Sequence, residues 1–406
     1  MLDIAKIRKD FPMLDNDLIY FDSSATSLKP EIVIDEVNDY YRLRNTNIHR
    51  GDYDLSYEVS KAYDDTRSKV ANFIGCHNPK NIVYTYGTTS SLNMVAFGYG
   101  MKHLKQGDVI LLSKMEHASN VLPWFKVAQK CKASIRYVPL HEDGSFDLDA
   151  YEKCFADGRV KIVSLAHISN VLGYVNPLKE IVEIAHRNKA IVNVDGAQSV
   201  PHIKVDVEDL DIDFLSFSSH KMCGPAGIGI LYGKKILLEE LDPTFYGGGA
   251  NARFMEDGTI ILKDIPERFE AGTPDVEGVL GLGRAIGYLE NIGMKNIEEY
   301  QKDLSDYFLH KMNELDNVIV YNPKSTTGII TFNVKNIFAQ DAASYLNKNN
   351  ICVRSGNHCA KLSHHILGIN DTIRASLYFY NTKEEIDRFV EVIKYTTLEK
   401  CVESIL

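Results

Sequence analysis

Short runs of apolar and β-branched residues alternate with longer helical patterns through the first two thirds of the chain. Continuous runs of this kind, bounded by turn residues, predict buried strands. The runs lie at residues 81–86, 108–113, 133–140, 160–168, 190–198, 213–219 and 227–233. Apolar residues at helical spacing follow some of them, as in residues 121–131 and 178–189. This alternation predicts a large α/β domain whose mostly parallel seven-stranded sheet is covered by helices.

The pattern changes after about residue 275. A long helical stretch leads into strand patterns at residues 318–321, 328–334 and 351–355, with further helices at 341–350 and 382–395. This mixture predicts a smaller α+β domain. At about 150 residues per domain, a chain of 406 residues has two to three domains, and the patterns favour two. We expect a large domain over residues 20–285 and a small C-terminal domain over 286–406, joined by the N-terminal segment 1–19.

Composition narrows the classes of function. The chain has 45 basic and 55 acidic residues, and its formal net charge of −10 argues against nucleic acid as a partner. No apolar run approaches the roughly 18 residues of a membrane helix, so we expect no membrane span. Seven scattered cysteines without a CxxC motif, and a charged N-terminus without a secretory signal, favour a cytoplasmic, reducing location.

Polar side chains follow several predicted strands, at the sheet edge where open α/β sheets bind ligands. Lys221 follows the strand pattern 213–219, close to Ser218 and His220. It is either an ordinary solvated lysine or an amine with a lowered pKa that forms a Schiff base with a carbonyl. Asp195 ends another strand, with Gln198 three residues on. An ionised carboxylate there suits a pyridinium nitrogen, although Asp before Gly is also a common turn.

Three further strand ends carry candidate residues. Gly87 is followed by Thr88 and Thr89 at the start of a helical pattern, which favours a phosphate group, although an ordinary threonine cap is the plainer interpretation. His117 follows the strand at 108–113 and is placed to stack on a flat ring, although a lone histidine is more often structural. Asn170 follows the strand at 160–168 and is placed to bind a ring hydroxyl.

The C-terminal part contributes a cysteine and an arginine. Cys359 lies beside His358 and near Arg354, and these charges can lower the pKa of a thiol, although most cysteines are buried and inert. The neighbouring histidines match no tetrahedral zinc motif well, so we expect no metal. Arg374 lies in an apolar, strand-like stretch and requires an anion, either a substrate carboxylate or an internal ion-pair partner.

Taken in order, these segments resemble a known family, the class-V aminotransferases of fold-type I, which use pyridoxal 5′-phosphate. Among these the chain is most similar to the SUF-type (group II) cysteine desulfurases. The resemblance covers nearly the whole chain and includes segments 20–30, 47–51, 87–93, 115–124, 167–173, 194–202, 218–233 and 269–275, with RSGNHCA at 354–360 and IRASLYFYNT at 373–382. The segment at 354–360 carries the resemblance to group II.

The resemblance implies a role for each candidate. Lys221 carries the cofactor as a Schiff base and removes the α-proton, His117 stacks on the ring, and Cys359 receives sulfur. The residues implied to bind the cofactor are Thr88, Thr89, His117, Asn170, Asp195, Gln198, Ser218, His220, Lys221 and Thr273, the last across a homodimer interface. The residues implied to bind substrate or to line its entrance are Asn170, Arg354, Arg374, His358, His49 and Arg50.

The implied activity is conversion of L-cysteine to L-alanine, with a persulfide on Cys359 that passes to an acceptor protein for iron–sulfur cluster assembly. The alternatives are a selenocysteine lyase acting on L-selenocysteine, another class-V enzyme, or a scaffold protein that has lost the cofactor. One position departs from the family, because Asn357 stands where many members have histidine. Unlike histidine, asparagine cannot carry a positive charge or act as an acid, so thiolate formation is expected to rely on His358 or on the arginines.

Overall fold

The computed structural model describes residues 2–405. The strands are β1 (Ile19–Tyr20), β2 (Ile82–Thr85), β3 (Val109–Leu112), β4 (Ser134–Tyr137), β5 (Val160–Ala166), β6 (Ile191–Asp195), β7 (Phe214–Ser218), β8 (Gly229–Gly233), β9 (Asn251–Phe254), β10 (Ile260–Leu262), β11 (Val318–Val320), β12 (Ile329–Val334), β13 (Ile351–Cys352), β14 (Arg354–Gly356) and β15 (Thr372–Ser376).

The helices follow the strands closely in the first half of the chain and dominate its second half. They are α1 (Ile4–Arg8), α2 (Glu31–Leu43), α3 (Asp54–Phe73), α4 (Thr88–Met94), α5 (Met101–His103), α6 (Leu122–Cys131), α7 (Leu148–Lys153), α8 (Leu178–Arg187), α9 (Lys235–Glu240), α10 (Val276–Ile292), α11 (Met294–Asn313), α12 (Ala339–Lys348), α13 (Lys361–Leu367), α14 (Lys383–Lys394) and α15 (Leu398–Ile405). A π-helical stretch, Val95–Gly100, joins α4 to α5.

Seven strands form the large sheet, in the order β2-β8-β7-β6-β5-β3-β4. Only β8 runs antiparallel, and it pairs with β2 on one side and β7 on the other. The sequence prediction of a mostly parallel seven-stranded sheet is confirmed. Successive residues of β3 show why helices must cover both faces, because Val109 and Leu111 enter one apolar cluster and Ile110 and Leu112 another. Buried strands of this kind read as continuous apolar runs.

The smaller sheet has the order β11-β12-β15-β14, and all its pairs are antiparallel. Its core is a separate cluster that includes Phe308, Phe332, Ile373 and Phe389. Helix α14 packs on this core and begins with a capping box, in which Thr382 and Glu385 satisfy each other's backbone N–H groups. The α+β character predicted for the C-terminal part is confirmed.

The structure differs from the predicted strands in three places. The pattern at 351–355 divides into β13, which pairs with β1, and β14, which pairs with β15. Strand β1 has two residues, too few to show a period in the sequence. The hairpin β9–β10 is mostly exposed, so it lacks the apolar alternation on which strand prediction depends.

Residues 21–27, which follow the N-terminal segment, cross from the small sheet to the large one. The N–H groups of Phe21 and Ser23 donate to the carbonyls of Cys352 and Ser376, at 2.9 and 3.1 Å. Farther along, the N–H of Ser27 donates to the carbonyl of His220 at 3.0 Å. The domain boundary predicted between residues 285 and 286 lies inside α10, and that division stays a prediction. No helix within residues 2–405 is both long and apolar enough to cross a membrane.

Candidate active site

A cavity of about 440 Å³ lies where the carboxyl ends of the parallel strands meet the start of α4 and the small sheet. Because the parallel strands end at the same edge of the sheet, the loops that follow them come together at this cavity. Most of the residues singled out from the sequence line it, namely Thr88, Thr89, His117, Asn170, Asp195, Gln198, Ser218, His220, Lys221, Arg354, His358, Cys359 and Arg374.

Lys221 follows β7 in a short 3-10 turn that Thr26 and Ser27 hold in place. The carbonyl of the preceding residue, His220, accepts hydrogen bonds from the hydroxyl of Thr26 at 3.0 Å and from the hydroxyl of Ser27 at 3.2 Å. Burial lowers the pKa of the Lys221 amine to about 8, against the opposing attraction of Asp195. This lowering leaves about a tenth of the amine unprotonated at pH 7, far more than for an ordinary lysine, and only the unprotonated amine reacts with a carbonyl.

A cluster of hydroxyl groups lies beside the lysine. The Ser218 hydroxyl accepts from the N–H of Thr88 at 2.7 Å and lies 2.6 Å from the Thr88 hydroxyl. The hydroxyls of Thr89 and Ser119 are 2.7 Å apart. Gly229 packs directly on this turn, because a Cβ atom there would lie 2.3 Å from the Cα of Gly87. This donor set contains no carboxylate, so it fits an anion such as phosphate.

Asp195 and His117 face the same cavity with opposite chemistry. Asp195 is 5% exposed, its Oδ1 accepts only the N–H of Ala197, and burial raises its pKa. A protonated ring nitrogen would supply the cation that this carboxylate lacks. His117 Nδ1 accepts from the N–H of Ser119 at 3.1 Å, and burial, followed by the charge of Lys221, lowers the pKa of His117 to about 4. His117 is therefore neutral near pH 7, with its proton on Nε2.

Arg374 lies on β15 and is 3% exposed. Its Nη1 donates to the carbonyl of Asn170 at 2.8 Å, and its Nη2 donates to Asp22 Oδ1 at 3.3 Å. Its Nε is buried without a partner. Both interpretations of this arginine therefore have support: it has an internal ion pair with Asp22, and it lines the cavity with a guanidinium whose Nε has no partner. Arg354 Nη1 lies 3.8 Å from the other oxygen of Asp22.

Cys359 lies on the loop between β14 and α13 and is the exposed member of the seven free cysteines. His358 and Cys359 both have left-handed backbone, with φ of 51° and 55°. This conformation is uncommon outside glycine and marks loops held by their surroundings. The Cys359 carbonyl accepts from the N–H of Ala118 at 2.7 Å, next to His117, and the His358 carbonyl accepts from Nδ2 of Asn170 at 2.9 Å.

The side chain of Asn357 has a structural role that the sequence did not predict. Its Nδ2 donates to the carbonyl of Asn370 at 2.5 Å and to Asp371 Oδ1 at 3.3 Å. These contacts tie the start of the Cys359 loop to the segment before β15. The amide at this position therefore anchors the loop.

Three residues singled out from the sequence lie outside this chain's cavity. Thr273 is exposed on a separate loop. His49 lies 3.6 Å from Asp64, and a Cβ atom added at Gly249 would lie 3.3 Å from Arg50 Nη2. Their roles stay predictions.

Sequence reasoning missed other residues at the site. Asp22 and Ser24 belong to the segment at 20–30, to which the sequence analysis gave no role beyond the resemblance. Asp22 forms an ion pair with Arg374. Ser24 lines the cavity, and its carbonyl accepts a hydrogen bond from the Gln198 amide at 2.9 Å.

Glu116, next to His117 in the sequence, was also missed. It is 1% exposed, and burial raises its pKa to about 8. Its Oε2 accepts from Asn120 Nδ2 and from the N–H of Ala166, both at 2.7 Å. Its position next to His117 was the only feature of the sequence that pointed to Glu116.

Comparison with known proteins identifies the family. The model of the class-V aminotransferases matches residues 19–389. The chain belongs to the class-V aminotransferase family. Among its relatives in this family, a protein named probable cysteine desulfurase from Halalkalibacterium halodurans is 44% identical over 397 residues, covering 96% of this chain and 97% of the relative. A cysteine desulfurase from Haloferax volcanii is 40% identical over 413 residues, covering 97% and 96%.

Solved structures agree with this class-V assignment. A cysteine desulfurase from Escherichia coli has a TM-score of 0.92 at 34% identity, with 99% of each chain covered. The apo structure of a cysteine desulfurase from Thermococcus onnurineus has a TM-score of 0.93 at 38% identity, covering 97% of this chain and 98% of that one. The family and fold-type I architecture expected from the sequence are confirmed. The buried amine, the unpaired carboxylate and the hydroxyl cluster fit pyridoxal 5′-phosphate, the cofactor of such enzymes.

Proposed function

We propose that this class-V enzyme is a cysteine desulfurase of the SUF type, which uses pyridoxal 5′-phosphate to convert L-cysteine to L-alanine. Sulfur is carried as a persulfide on Cys359 and passed to an acceptor protein of an iron–sulfur assembly system. The observation that carries this proposal is an exposed thiol at the cavity that also holds the Lys221 amine. A transaminase needs the amine and has no use for the thiol.

The cofactor would be held at three points. Lys221 would bind its aldehyde, Asp195 its ring nitrogen, and the hydroxyls of Thr88, Thr89 and Ser218 its phosphate. Gln198 and His220 line the same cavity. When bound, the cofactor supplies an electron-withdrawing ring that makes the α-proton of an amino acid acidic.

Substrate binding relies on the arginine of β15. The Nε donor of Arg374 is buried without a partner, and a carboxylate is the group that best satisfies a guanidinium. Arg354 lines the same cavity and adds a second positive charge. Asn170, whose carbonyl accepts from Arg374, keeps the guanidinium in place.

Proton transfer and sulfur transfer fall to different residues. The Lys221 amine would take the α-proton, because burial lowers its pKa to about 8 and leaves part of it unprotonated near neutral pH. His117 is neutral and holds its proton on Nε2, so it is placed to donate at the cavity. The Cys359 thiolate attacks the substrate sulfur; the sulfur–sulfur bond forms as the substrate carbon–sulfur bond breaks, and the carbon takes up a proton to become the methyl group of alanine.

A homodimer would bring Thr273, His49 and Arg50 to the cavity of the partner subunit. These residues belong to one continuous surface, since the N–H of Gly272 donates to the carbonyl of Gly248 at 2.8 Å, beside Arg50. Large apolar side chains stay exposed along the same region, namely Tyr53, Tyr57, Tyr86, Phe245, Tyr246 and Phe254. Exposed apolar area of this extent supports an interface between subunits.

The test uses the purified holoenzyme with L-cysteine, and it measures alanine and protein-bound persulfide. We expect Cys359→Ala to keep the yellow cofactor and to lose more than about a hundredfold in alanine formation, because the nucleophile is gone. Cys131→Ala, which removes a half-buried thiol on α6, is the matched control and is expected to keep full activity. Desulfuration by Cys359→Ala at the rate of the control would contradict the proposal.

A further inference from the structure

Two arginines oppose each other on neighbouring strands of the small sheet. Arg354 on β14 and Arg374 on β15 are direct partners in the antiparallel ladder, and both line the cavity. Like charges at directly opposed positions repel each other. One carboxylate lies between the two guanidinium groups: Asp22 Oδ1 accepts from Arg374 Nη2 at 3.3 Å, and Asp22 Oδ2 lies 3.8 Å from Arg354 Nη1. Asp22 therefore offsets part of the positive charge at this side of the cavity.

The backbone on both sides of Asp22 is fixed to the small sheet. The N–H of Phe21 donates to the carbonyl of Cys352 at 2.9 Å, and the N–H of Ser23 donates to the carbonyl of Ser376 at 3.1 Å. The side chain of Asp22 is 22% exposed. Its contact with the arginines is therefore a fixed part of the site, unlike a surface ion pair whose two side chains move freely in water.

Within residues 2–405, these arginines have no other acidic partner than Asp22. The acid that lines the cavity itself is Asp195, which we propose binds the ring nitrogen of the cofactor. Burial raises the pKa of Asp22, against the opposing attraction of Arg374, Arg354 and Lys221. The hydrogen bond from Arg374 and the charge of Arg354 keep Asp22 ionised near pH 7.

The three histidines that line the cavity add no charge near pH 7. Burial lowers the pKa of His117 and of His220 to about 4, and that of His358 to about 2. The charge that a substrate meets beside the small sheet is therefore set, within this chain, by the two arginines and Asp22.

We infer that Asp22 is a positioning residue that also sets specificity: its carboxylate cancels one of the two positive charges, so that the cavity favours amino acids with a single carboxylate over those with an acidic side chain. This inference rests on the proposed function, in which Arg374 binds the substrate carboxylate, and it deepens that function by naming the class of amino acid. Asp22 does not line the cavity, so it acts through the arginines.

The reason is a balance of charges. With one carboxylate bound at Arg374, that carboxylate and Asp22 together match the two guanidinium groups. A second carboxylate, carried where L-cysteine carries its sulfur, is a surplus negative charge next to Cys359, which the proposed function requires as a thiolate. Without the charge of Asp22, one guanidinium is left to compensate the second carboxylate.

The test compares two ligands without a thiol, L-alanine and L-aspartate, which differ by one carboxylate. Their dissociation constants from the holoenzyme are measured by titration, with the absorbance of the bound cofactor as the signal. We expect the unmodified enzyme to bind L-alanine more tightly. Asp22→Asn keeps the shape and an acceptor oxygen for Arg374, and we expect it to shift the ratio of the two constants about tenfold in favour of L-aspartate.

Asp22→Glu keeps the charge and is the matched control, so we expect it to keep the ratio of the unmodified enzyme. A purely structural role for Asp22 would weaken both ligands by the same factor, because both present the same α-carboxylate to Arg374. Arg50, which the proposed dimer would bring to this cavity, is present in every variant, so a change in the ratio reports Asp22. An unchanged ratio in Asp22→Asn, an equal shift in Asp22→Glu, or tighter binding of L-aspartate by the unmodified enzyme overturns the inference.

A double variant tests the balance of charges from the other side. Adding Arg354→Gln to Asp22→Asn removes one positive charge along with the negative one. We expect the ratio to return to that of the unmodified enzyme, because the net charge beside Arg374 is restored. A double variant that keeps the shifted ratio overturns the inference.

Failure of the proposed function has a different signature. If the holoenzyme forms neither alanine nor persulfide from L-cysteine while the ratio shifts as expected, then the activity is wrong and the role of Asp22 stands. If both products form and the ratio does not shift, then the activity stands and the role of Asp22 is wrong.

Discussion

Identical residue types have different chemistry in this molecule because burial differs. Cys223 is fully buried, and burial raises the pKa of its thiol to about 12, whereas Cys359 is exposed at the mouth of a cavity. Lys221 has a pKa lowered to about 8 by burial, whereas Lys114 is solvent-exposed. Desolvation disfavours the charged form of each group, which makes a buried thiol inert and a buried amine reactive.

The lowered pKa of Lys221 predicts how cofactor capture depends on pH. Only the neutral amine reacts with an aldehyde, so the rate at which apoenzyme binds pyridoxal 5′-phosphate should rise about tenfold between pH 7 and pH 9 and then level off. Stopped-flow absorbance measures this rate. Lys114→Ala is the control and should follow the same curve, while Lys221→Ala should form no lysine-bound cofactor band. A rate that still climbs steeply above pH 10 would contradict the assignment.

At the scale of the element, the ends of strands and the turns after them decide where chemistry is placed. Ion pairs between elements fix how those elements pack. Outside the cavity, Arg67 of α3 donates two hydrogen bonds to the carboxylate of Glu270, at 2.7 and 2.8 Å. Arg67 also donates to the carbonyl of Ile82 and stacks over the ring of Tyr84 at 4.3 Å. The pair ties α3 and β2 to the segment that leads to Thr273.

Breaking this pair should destabilise the fold. Arg67→Met leaves the largely buried Glu270 carboxylate without its cation, and we expect a loss of about 3–5 kcal/mol in the free energy of unfolding, measured by urea denaturation. The control is Lys61→Met, which breaks the exposed pair with Asp65 and should have little effect. Adding Glu270→Leu to Arg67→Met should recover part of the loss. Similar urea midpoints for Arg67→Met and the control would refute the argument.

At the scale of the whole molecule, one chain contains a cavity and also a surface that we propose completes the cavity of a partner. Neither Thr273 nor His49 lines the cavity that contains Lys221 of the same chain. A site shared between subunits makes activity depend on assembly.

Mixed dimers test this sharing. Lys221→Ala and Thr273→Glu chains are each expected to be inactive alone, the second because a carboxylate repels phosphate. If Thr273 acts on the partner, the mixed dimer has one intact site and should recover about half of the activity per dimer, measured as alanine formed. If Thr273 acts within its own chain, no site is intact and no activity returns. The same mixture made with Thr273→Ser chains in place of Thr273→Glu is the positive control.

Local patterns were enough to predict seven strands in a mostly parallel sheet and to point to most of the residues that line the cavity. The seven strand patterns and the residues after them depend on short-range periodicity and on the rule that parallel strands present their carboxyl ends at one edge, so the sequence determined them by itself. The short strand β1 and the exposed β9–β10 hairpin were not predicted. Two residues are too few to show a period, and an exposed hairpin lacks apolar alternation.

Contacts between distant parts of the chain were decided only by the tertiary structure. Asp22 and Arg374 are 352 residues apart, and the Thr372 hydroxyl serves two histidines that a linear motif shows only as neighbours of a cysteine. Which donor meets which acceptor depends on how the two sheets pack and on burial that removes water as a competing partner. The sequence determined which chemistry is present, and packing decided the protonation states in which it is held.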